Sequence, residues 1–316
     1  MHTKRAVIDV GSNSVLLLVA EFQGEWKSVY EDTRVTALGE ETRQTGLLGE
    51  RGTSETLSAL REFFKTAAEH GATEIVAGAT MAARIATNAD DFLRRAGEQE
   101  TPIFILSGEE EADLGFRAVA DDPLFRNQAR LSIIDPGGHS TELVTADSAN
   151  SLWQIQFRKS FPIGTLAMRG DAFPDERVVP ANTFRGVEEL DRVIGMSYRP
   201  AECGECVVLG ATGTNLISIR EKLDHWQPER VHGARLDYEE VSKAYGWLSA
   251  MSDSERAQVP GMEPGREKTI HLGALILERF MYALRAEYVR VSTKGWRHAL
   301  LASSEFDQFL SRCLTV

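Results

Sequence analysis

The chain repeats one short pattern at two distant places. Residues 6–21 read AVIDVGSNSVLLLVAE, and residues 132–147 read SIIDPGGHSTELVTAD. A second echo follows each copy at nearly the same spacing, because residues 75–80 (IVAGAT) resemble residues 207–212 (VVLGAT). Each copy of an internal repeat forms one structural unit, so the two ordered matches predict a duplicated unit.

The arrangement of apolar residues predicts an α/β fold for each copy. Two β-rich runs joined by a Gly/Ser/Asn turn predict a hairpin at 6–19. An i, i+3, i+4 apolar stripe predicts an amphipathic helix over 53–70, with Gly71 as its C-cap. Strands and helices then alternate, as in α/β domains. The expected strands are 74–77, 103–106 and 288–292, and the expected helices are 80–96, 108–119, 237–251, 267–286 and a last helix at about 299–316.

The length of 316 residues exceeds the usual size of one domain. A polar, turn-forming stretch at 121–128 separates the two copies. We therefore expect domain I at 1–125 and domain II at 126–298, with the last helix packing back on domain I.

The charge balance limits the expected partners. Lys and Arg number 35 against 47 Asp and Glu, a net charge of -12. Such a surface repels nucleic-acid backbones and anionic membranes, although a few local donors could still hold a small anion. No apolar run spans a bilayer, no signal-peptide pattern is present, and three cysteines make no disulfide framework. We expect a cytoplasmic protein with no nucleic-acid or membrane partner.

Each copy ends an apolar strand with an Asp, followed at once by a turn of small residues. Small residues expose backbone N–H groups to a phosphate oxygen, and a carboxylate at the strand end can hold Mg²⁺. Hydroxyl donors stand beside both turns. One such turn is equally consistent with a plain β-turn whose Asp satisfies local donors, but the repetition favours phosphate binding. The hydroxyl donors beside the two turns are Ser12, Ser14, Ser140 and Thr141.

Five ordered motifs resemble the exopolyphosphatase/guanosine pentaphosphate phosphatase family. The resemblance implies the fold of the actin, sugar-kinase and Hsp70 ATPase superfamily, in which two RNase H-like domains flank a central cleft. It also implies Mg²⁺- or Mn²⁺-dependent hydrolysis of a terminal phosphoanhydride. The motifs are IDVGSNS (8–14), ATMAARIATNADDFLRRA (79–96), SGEEEA (107–112), IIDPGGHSTEL (133–143) and VVLGATGT (207–214), and STKGWRHALL (292–301) resembles the last family block.

The resemblance also implies roles for individual residues. Glu111 matches the general base of the family, and Arg84 matches a basic residue that faces the substrate phosphates. Asp135 and Glu142 match acidic residues of the metal site. We also expect Asp9 to bind the metal. Without the resemblance, the favoured interpretation of Glu111 is an acid in the first turn of a helix, and that of Arg84 is a surface residue of a helix. The expected phosphate-binding residues are Asp9, Gly11, Ser12, Asn13, Ser14, Gly137, Gly138, His139, Ser140, Thr141, Gly210, Thr212 and Gly213.

Two positions depart from the family pattern. His139 stands where a glycine is common, so its Cβ either displaces the loop or its imidazole supplies an extra donor. Leu16 stands where a basic residue is frequent, which removes one expected phosphate contact. Cys203 and Cys206 form a CxxC pair, which we interpret as two reduced thiols before a strand rather than as a metal or redox site.

The predicted function is an exopolyphosphatase that releases orthophosphate from short polyphosphate with Mg²⁺. Longer relatives carry extra helical domains, so weak processivity on long chains is expected here. The alternatives are a guanosine pentaphosphate (pppGpp) 5′-phosphohydrolase, a kinase of the same superfamily, and a non-catalytic polyphosphate or alarmone sensor. A homodimer is expected, because dimers are common among the relatives.

Overall fold

The computed structural model describes residues 3–149, 152–171, 173, 175–195 and 203–314. The chain divides into two compact units. Unit 1 comprises Met1–Ala118 and Trp296–Val316, and unit 2 comprises Val119–Gly295. Within the described ranges, no helix is both long and apolar enough to cross a bilayer.

The strands and helices have the following bounds. The strands are β1 (Lys4–Val10), β2 (Ser14–Phe22), β3 (Trp26–Val35), β4 (Glu74–Ala79), β5 (Phe104–Ile105), β6 (Arg130–Pro136), β7 (Thr141–Ala149), β8 (Leu152–Phe161), β9 (Glu205–Val208), β10 (Arg235–Asp237) and β11 (Tyr288–Val291). The helices are α1 (Thr42–Thr45), α2 (Glu50–Glu69), α3 (Met81–Ile85), α4 (Ala89–Glu98), α5 (Gly108–Ala120), α6 (Thr165–Asp171), α7 (Pro180–Ile194), α8 (Gly210–Glu221), α9 (Pro228–Val231), α10 (Tyr238–Ser249), α11 (Asp253–Arg256), α12 (Ile270–Leu284), α13 (Trp296–Ala302) and α14 (Phe306–Leu314).

Both units contain a mixed sheet of the same design. The strand order is β3-β2-β1-β4-β5 in unit 1 and β10-β11-β9-β6-β7-β8 in unit 2. In each sheet an antiparallel three-stranded meander leads into a parallel neighbour, β4 beside β1 and β9 beside β6. The hairpin predicted from the first repeat is confirmed, and the second repeat forms the same hairpin.

Three expectations about secondary structure were wrong. No strands were expected at the positions of β3 and β8, since both are edge strands with many exposed residues and no clear alternation. The helix expected over 80–96 is two helices, α3 and α4, separated at Ala86, whose backbone is extended. The expected last helix is also two helices, because the Ser303 hydroxyl accepts a hydrogen bond from the Glu305 N–H (3.0 Å) and forms a turn between α13 and α14. Residues 315 and 316 of that expected helix lie outside the described ranges.

Each unit has its own apolar core. In unit 1, α2 packs its buried face on one side of the sheet, and α13 and α14 cover the other side. In unit 2, α12 is the central helix, since most of its residues are buried and it packs against α7, α8 and α10. Long apolar helices of this kind form the core of a unit because every face removes surface from water.

Unit 2 buries a histidine that has no hydrogen-bond partner. His271 on α12 is 0% exposed, and neither ring nitrogen has a partner among the described residues. Burial, together with the nearby guanidinium groups of Arg256 and Arg169, lowers the pKa of His271 from 6.5 to about 2. The imidazole is therefore neutral in the folded protein at any pH near neutrality.

We expect His271 to make the fold sensitive to acid. The unfolded chain takes up a proton below pH 6.5 and the folded chain does not, so the free energy of unfolding decreases as the pH falls from 6.5. The slope contributed is up to about 1.4 kcal/mol per pH unit. His271→Leu should flatten the dependence measured by urea unfolding between neutral and mildly acidic pH. The exposed His225→Leu is the control, and an equal slope in H271L and wild type would contradict the prediction.

Candidate active site

Both repeated turns have the same hydrogen bond and need glycine at the same position. The Gly11 N–H donates to the Ser14 carbonyl (2.9 Å), and the Gly137 N–H donates to the Ser140 carbonyl (2.8 Å). A Cβ at Gly11 would lie 3.0 Å from the Ser14 oxygen, and one at Gly137 would lie 2.9 Å from the Ser140 oxygen. A side chain at either position would therefore collide with the carbonyl that closes the turn.

Backbone donors from the segment after β3 hold the first turn. The Thr36 and Ala37 N–H groups donate to the Asn13 carbonyl at 3.0 Å, and the Gly39 N–H donates to the Ser12 carbonyl at 2.8 Å. The Asn13 side-chain Nδ2 is buried and has no partner among the described residues. A buried amide without an acceptor is costly, so this nitrogen is a candidate donor for an anion.

The segment after β8 holds the second turn in the same way. The Thr165 N–H donates to the Gly137 carbonyl (3.0 Å), and the Leu166 N–H donates to the Gly138 carbonyl (2.8 Å). Gly164 touches the turn directly, because a Cβ there would lie 2.3 Å from the Gly138 carbonyl and 2.4 Å from the His139 nitrogen. With their carbonyls engaged inside the unit, the turns are rigid supports for a ligand rather than mobile loops.

The expected site residues of unit 1 follow the carboxyl ends of adjacent strands. Asp9 lies at the end of β1, Arg84 follows β4, and Glu111 follows β5. Because β1, β4 and β5 are parallel neighbours, these three ends meet at one edge of the sheet, the usual place for ligands in open α/β sheets. Topology therefore brings residues from three separate motifs to one edge.

Asp9 is a half-buried residue with one buried, unused carboxylate oxygen. Its Oδ1 has no hydrogen-bond partner among the described residues. Burial raises the pKa of Asp9 from 3.8 to about 6, and the guanidinium of Arg297 opposes that rise. An orphaned, buried carboxylate oxygen beside a Gly/Ser turn fits a site that holds a cation or a metal-bound water.

Arg297 is the functional candidate that the sequence analysis missed. It is 7% exposed, its Nη1 has no partner among the described residues, and its pKa is lowered by burial. The carboxylates of Glu31 and Asp9 oppose that shift. Its segment was recognised as a family block, but nothing in the block indicated which residue lies beside Asp9. The two residues meet because α13 packs on β1.

Unit 2 presents two carboxylates side by side. Asp135 and Glu142 are directly opposite in the β6–β7 ladder, so their side chains project from the same face of the sheet about 5 Å apart at Cβ. The Ser160 hydroxyl donates to Glu142 Oε1 (2.6 Å). Two like charges at this distance repel each other, and a bound divalent cation would relieve the repulsion.

Gly210 places the start of a helix against Asp135. Its φ of +74° lies in the left-handed region that favours glycine, and a Cβ there would lie 3.0 Å from Asp135 Oδ1. Gly210 is the first residue of α8, whose N-terminal end carries partial positive charge. The partial positive charge of the helix end therefore lies beside the Asp135 carboxylate.

The carboxylates suit Mg²⁺ better than a closed metal site. No three His, Cys, Asp or Glu side chains cluster as a metal site within the described part of the chain. Mg²⁺ usually takes one or two protein carboxylates and completes its shell with waters and substrate phosphates. Asp135 with Glu142, and Asp9 through its unused oxygen, fit this kind of coordination.

Arg84 and Glu111 form an ion pair. Arg84 Nη1 donates to Glu111 Oε2 at 3.0 Å and to the Leu106 carbonyl at 2.7 Å. Each side chain is about a quarter exposed. The carbonyl contact fixes the guanidinium between the end of β5 and the start of α5, beside the Glu111 carboxylate.

The other two acids of the EEE triplet, Glu109 and Glu110, do not pair with Arg84. Ser107 and Glu110 form a capping box at the start of α5, because the Ser107 N–H donates to Glu110 Oε2 (2.8 Å) and the Glu110 N–H donates to Ser107 Oγ (3.2 Å). Glu110 also accepts from Arg312 at 2.6 Å. Glu109 is exposed. The triplet thus contains a capping residue, a solvated residue and one residue, Glu111, paired with Arg84.

Several expected phosphate-binding residues pack inside unit 2. The Thr141 hydroxyl donates to the Ile163 carbonyl at 2.7 Å, and Thr212 contacts Gly273 of α12. A Cβ at Gly213 would lie 2.7 Å from Val208 Cγ1, so this glycine allows α8 to approach β9. Ser12, Ser14, Ser140 and His139 are also buried. His139 is therefore part of the folded turn and not a mobile side chain on its surface.

The comparisons with known proteins agree on one family. The model of the Ppx/GppA phosphatase family matches residues 18–307. Exopolyphosphatase 2 of Mycobacterium tuberculosis is 26% identical over 303 residues, covering 90% of this chain and 91% of that protein. Exopolyphosphatase 1 of the same organism is 29% identical, covering 93% and 86%. A bifunctional 3-dehydroquinate synthase/phosphatase of Fusobacterium nucleatum is 25% identical, but this chain spans only 44% of its length.

Solved structures match along nearly the whole chain. The Ppx/GppA family member of Aquifex aeolicus has a TM-score of 0.78 and 27% identity, covering 98% of this chain and 99% of that one. An exopolyphosphatase of Cytophaga hutchinsonii has a TM-score of 0.83 at 20% identity, covering 97% and 98%, which supports the fold alone. The predicted α/β fold of the actin-like ATPase superfamily is confirmed. The chain belongs to the Ppx/GppA phosphatase family, a family of phosphoanhydride hydrolases.

Proposed function

We propose that the protein is an exopolyphosphatase that removes the terminal phosphate of short inorganic polyphosphate with Mg²⁺. The single observation that carries the proposal is the Arg84–Glu111 pair at the edge where the Asp9 turn also lies. The Glu111 carboxylate, which could orient a water molecule, therefore lies next to the Arg84 guanidinium, which could bind a phosphate. The exopolyphosphatase names of two mycobacterial relatives support the choice of substrate.

Phosphoryl transfer depends mainly on positioning and on neutralisation of charge. The turn N–H groups and the Asn13 amide would hold phosphate oxygens, and Arg84 would neutralise charge on the phosphoryl group. Glu111 would orient the attacking water and accept its proton. Asp135 with Glu142 in unit 2, and separately Asp9 in unit 1, would hold Mg²⁺, which would supply positive charge to the substrate phosphates.

The test is the release of orthophosphate from short polyphosphate, long polyphosphate and pppGpp, each with Mg²⁺ and with a chelator. The proposal expects chelator-sensitive release that is fastest from short polyphosphate. Release of orthophosphate from pppGpp but not from polyphosphate would contradict the exopolyphosphatase proposal and favour a guanosine pentaphosphate phosphohydrolase. Tight binding of either compound without turnover would favour the sensor, and ADP formation that needs a second acceptor would favour a kinase.

Leu16 offers a gain-of-function variant. It is opposite Asp9 in the β1–β2 ladder, at the position that Glu142 occupies opposite Asp135 in unit 2. A charged hydrogen bond to phosphate contributes about 1.5–3 kcal/mol, so Leu16→Arg should lower the KM for polyphosphate about tenfold with little change in kcat. The exposed Leu47→Arg adds the same charge elsewhere in unit 1 and serves as control. An equal fall in KM in both variants would show a general charge effect and contradict a contact at Leu16.

A further inference from the structure

Unit 2 contains a pair of thiols that the proposed reaction does not use. Cys203 and Cys206 are separated by two residues at the start of β9. Both are free thiols, as is Cys313. Cys313 lies in unit 1, where it is buried on α14 and its thiol donates to the Ala77 carbonyl at 3.5 Å. Cys313 is therefore an internal reference for an inert thiol.

The backbone between the two thiols needs glycine at position 204. Gly204 has a φ of +66°, and a Cβ there would lie 2.5 Å from the Arg130 carbonyl oxygen, so the turn requires glycine. The Ser132 hydroxyl donates to the Cys203 carbonyl at 2.7 Å and fixes the backbone of the turn. Cys203 packs against the core cluster that contains Cys206, and the pKa of each thiol is shifted by the other. A disulfide needs the two Cα atoms within about 7 Å of each other, which a spacing of two intervening residues permits.

The two thiols differ in exposure and in acidity. Cys203 is partly exposed, whereas Cys206 is 2% exposed and belongs to the core. The hydrogen bond from Cys206 lowers the pKa of Cys203 from 9.0 to about 7, and the same bond with burial raises the pKa of Cys206. Near neutral pH, a substantial share of Cys203 is thus a thiolate, the nucleophilic form.

We propose that Cys203 and Cys206 are a site of reversible thiol–disulfide exchange with a low-molecular-weight disulfide such as glutathione disulfide. The Cys203 thiolate attacks one sulfur of glutathione disulfide, the S–S bond breaks, and one glutathione leaves and takes up a proton. Cys206 then loses its proton and attacks Cys203 Sγ, which releases the second glutathione as a thiol. Two protein thiols are oxidised to one disulfide, and one glutathione disulfide is reduced to two thiols.

The location of the pair makes the exchange compatible with the fold. The turn precedes β9, which is held by β6 on one side and β11 on the other. Closing the disulfide joins residues only three positions apart at the edge of one core cluster, so neither ladder has to open. The proposal is independent of the catalytic function, because no residue of the candidate active site takes part in the exchange.

The experiment equilibrates the full chain in mixtures of reduced and oxidised glutathione, followed by acid quenching, alkylation, intact mass and peptide mapping. We expect loss of two hydrogens, one Cys203–Cys206 disulfide, an alkylated Cys313, and full reversal by dithiothreitol. Cys206→Ser should accumulate glutathione on Cys203, Cys203→Ser should stay unmodified, and Cys313→Ser should behave as the wild type. Three free thiols in the most oxidising mixture, or an adduct on wild-type Cys203 that never resolves, would overturn the proposal.

Discussion

Replacing Glu111 by Gln should lower kcat for phosphate release by about 10²–10⁴-fold, because a positioned general base contributes about that factor. Gln keeps the shape of the side chain and an oxygen that can accept the hydrogen bond now donated by Arg84 Nη1. KM should change little, since Arg84 and the turns are retained. The measurement is steady-state orthophosphate release across pH, in which the acidic limb of the kcat profile should disappear.

The triplet itself supplies the matched control. Glu109→Gln removes the same charge from the same helical turn, but Glu109 is exposed and makes no ion pair among the described residues. It should retain near-wild-type kcat and thermal stability. Equal losses in E109Q and E111Q would indicate a charge effect at the start of α5, and unchanged release in E111Q would remove Glu111 from the base role.

Replacing Arg297 by Met should destabilise unit 1, because the buried guanidinium lies within electrostatic reach of the carboxylates of Asp9 and Glu31 and opposes the rise in the pKa of Asp9. The variant should also change the pH dependence of stability. Asp9 has a folded pKa of about 6, above its ordinary 3.8. The unfolded chain therefore releases this proton first, and the stability contribution of Asp9 declines as the pH rises through that interval.

Without Arg297, the folded pKa of Asp9 rises above about 6, so the decline should extend to higher pH than in the wild type. The measurement is urea unfolding from mildly acidic to mildly alkaline pH. Asp9→Asn in the R297M background should remove this extra decline and restore part of the stability. Arg61→Met, at an exposed position on α2, is the control. A stability of R297M within experimental error of R61M would contradict the role of Arg297.

Much of the fold could be predicted because it depends on local chemistry. The repeated Asp and Gly predicted both hairpins, and the apolar stripe over 53–70 predicted α2 closely, Glu50–Glu69. Edge strands such as β3 carry weak patterns, since their exposed face accepts many residue types. The break in the helix expected over 80–96 was missed because tertiary packing overrode the continuous helical pattern.

The candidate site divides in the same way. From the sequence alone, two carboxylates, Asp9 and Asp135, could be placed at strand ends before turns of small residues. The small residues are needed for a short-range steric reason, because a Cβ at Gly11 or Gly137 would meet a carbonyl three residues away.

Only the tertiary structure decided which acid of the EEE triplet pairs with a guanidinium, and which arginine lies beside Asp9. Glu111 meets Arg84 because the parallel strands β4 and β5 end at the same edge of the sheet. Arg297 reaches Asp9 because the end of the chain packs back on β1. Contacts between residues so distant in sequence depend on the order in which strands pair and helices pack, and no local sequence pattern encodes that order.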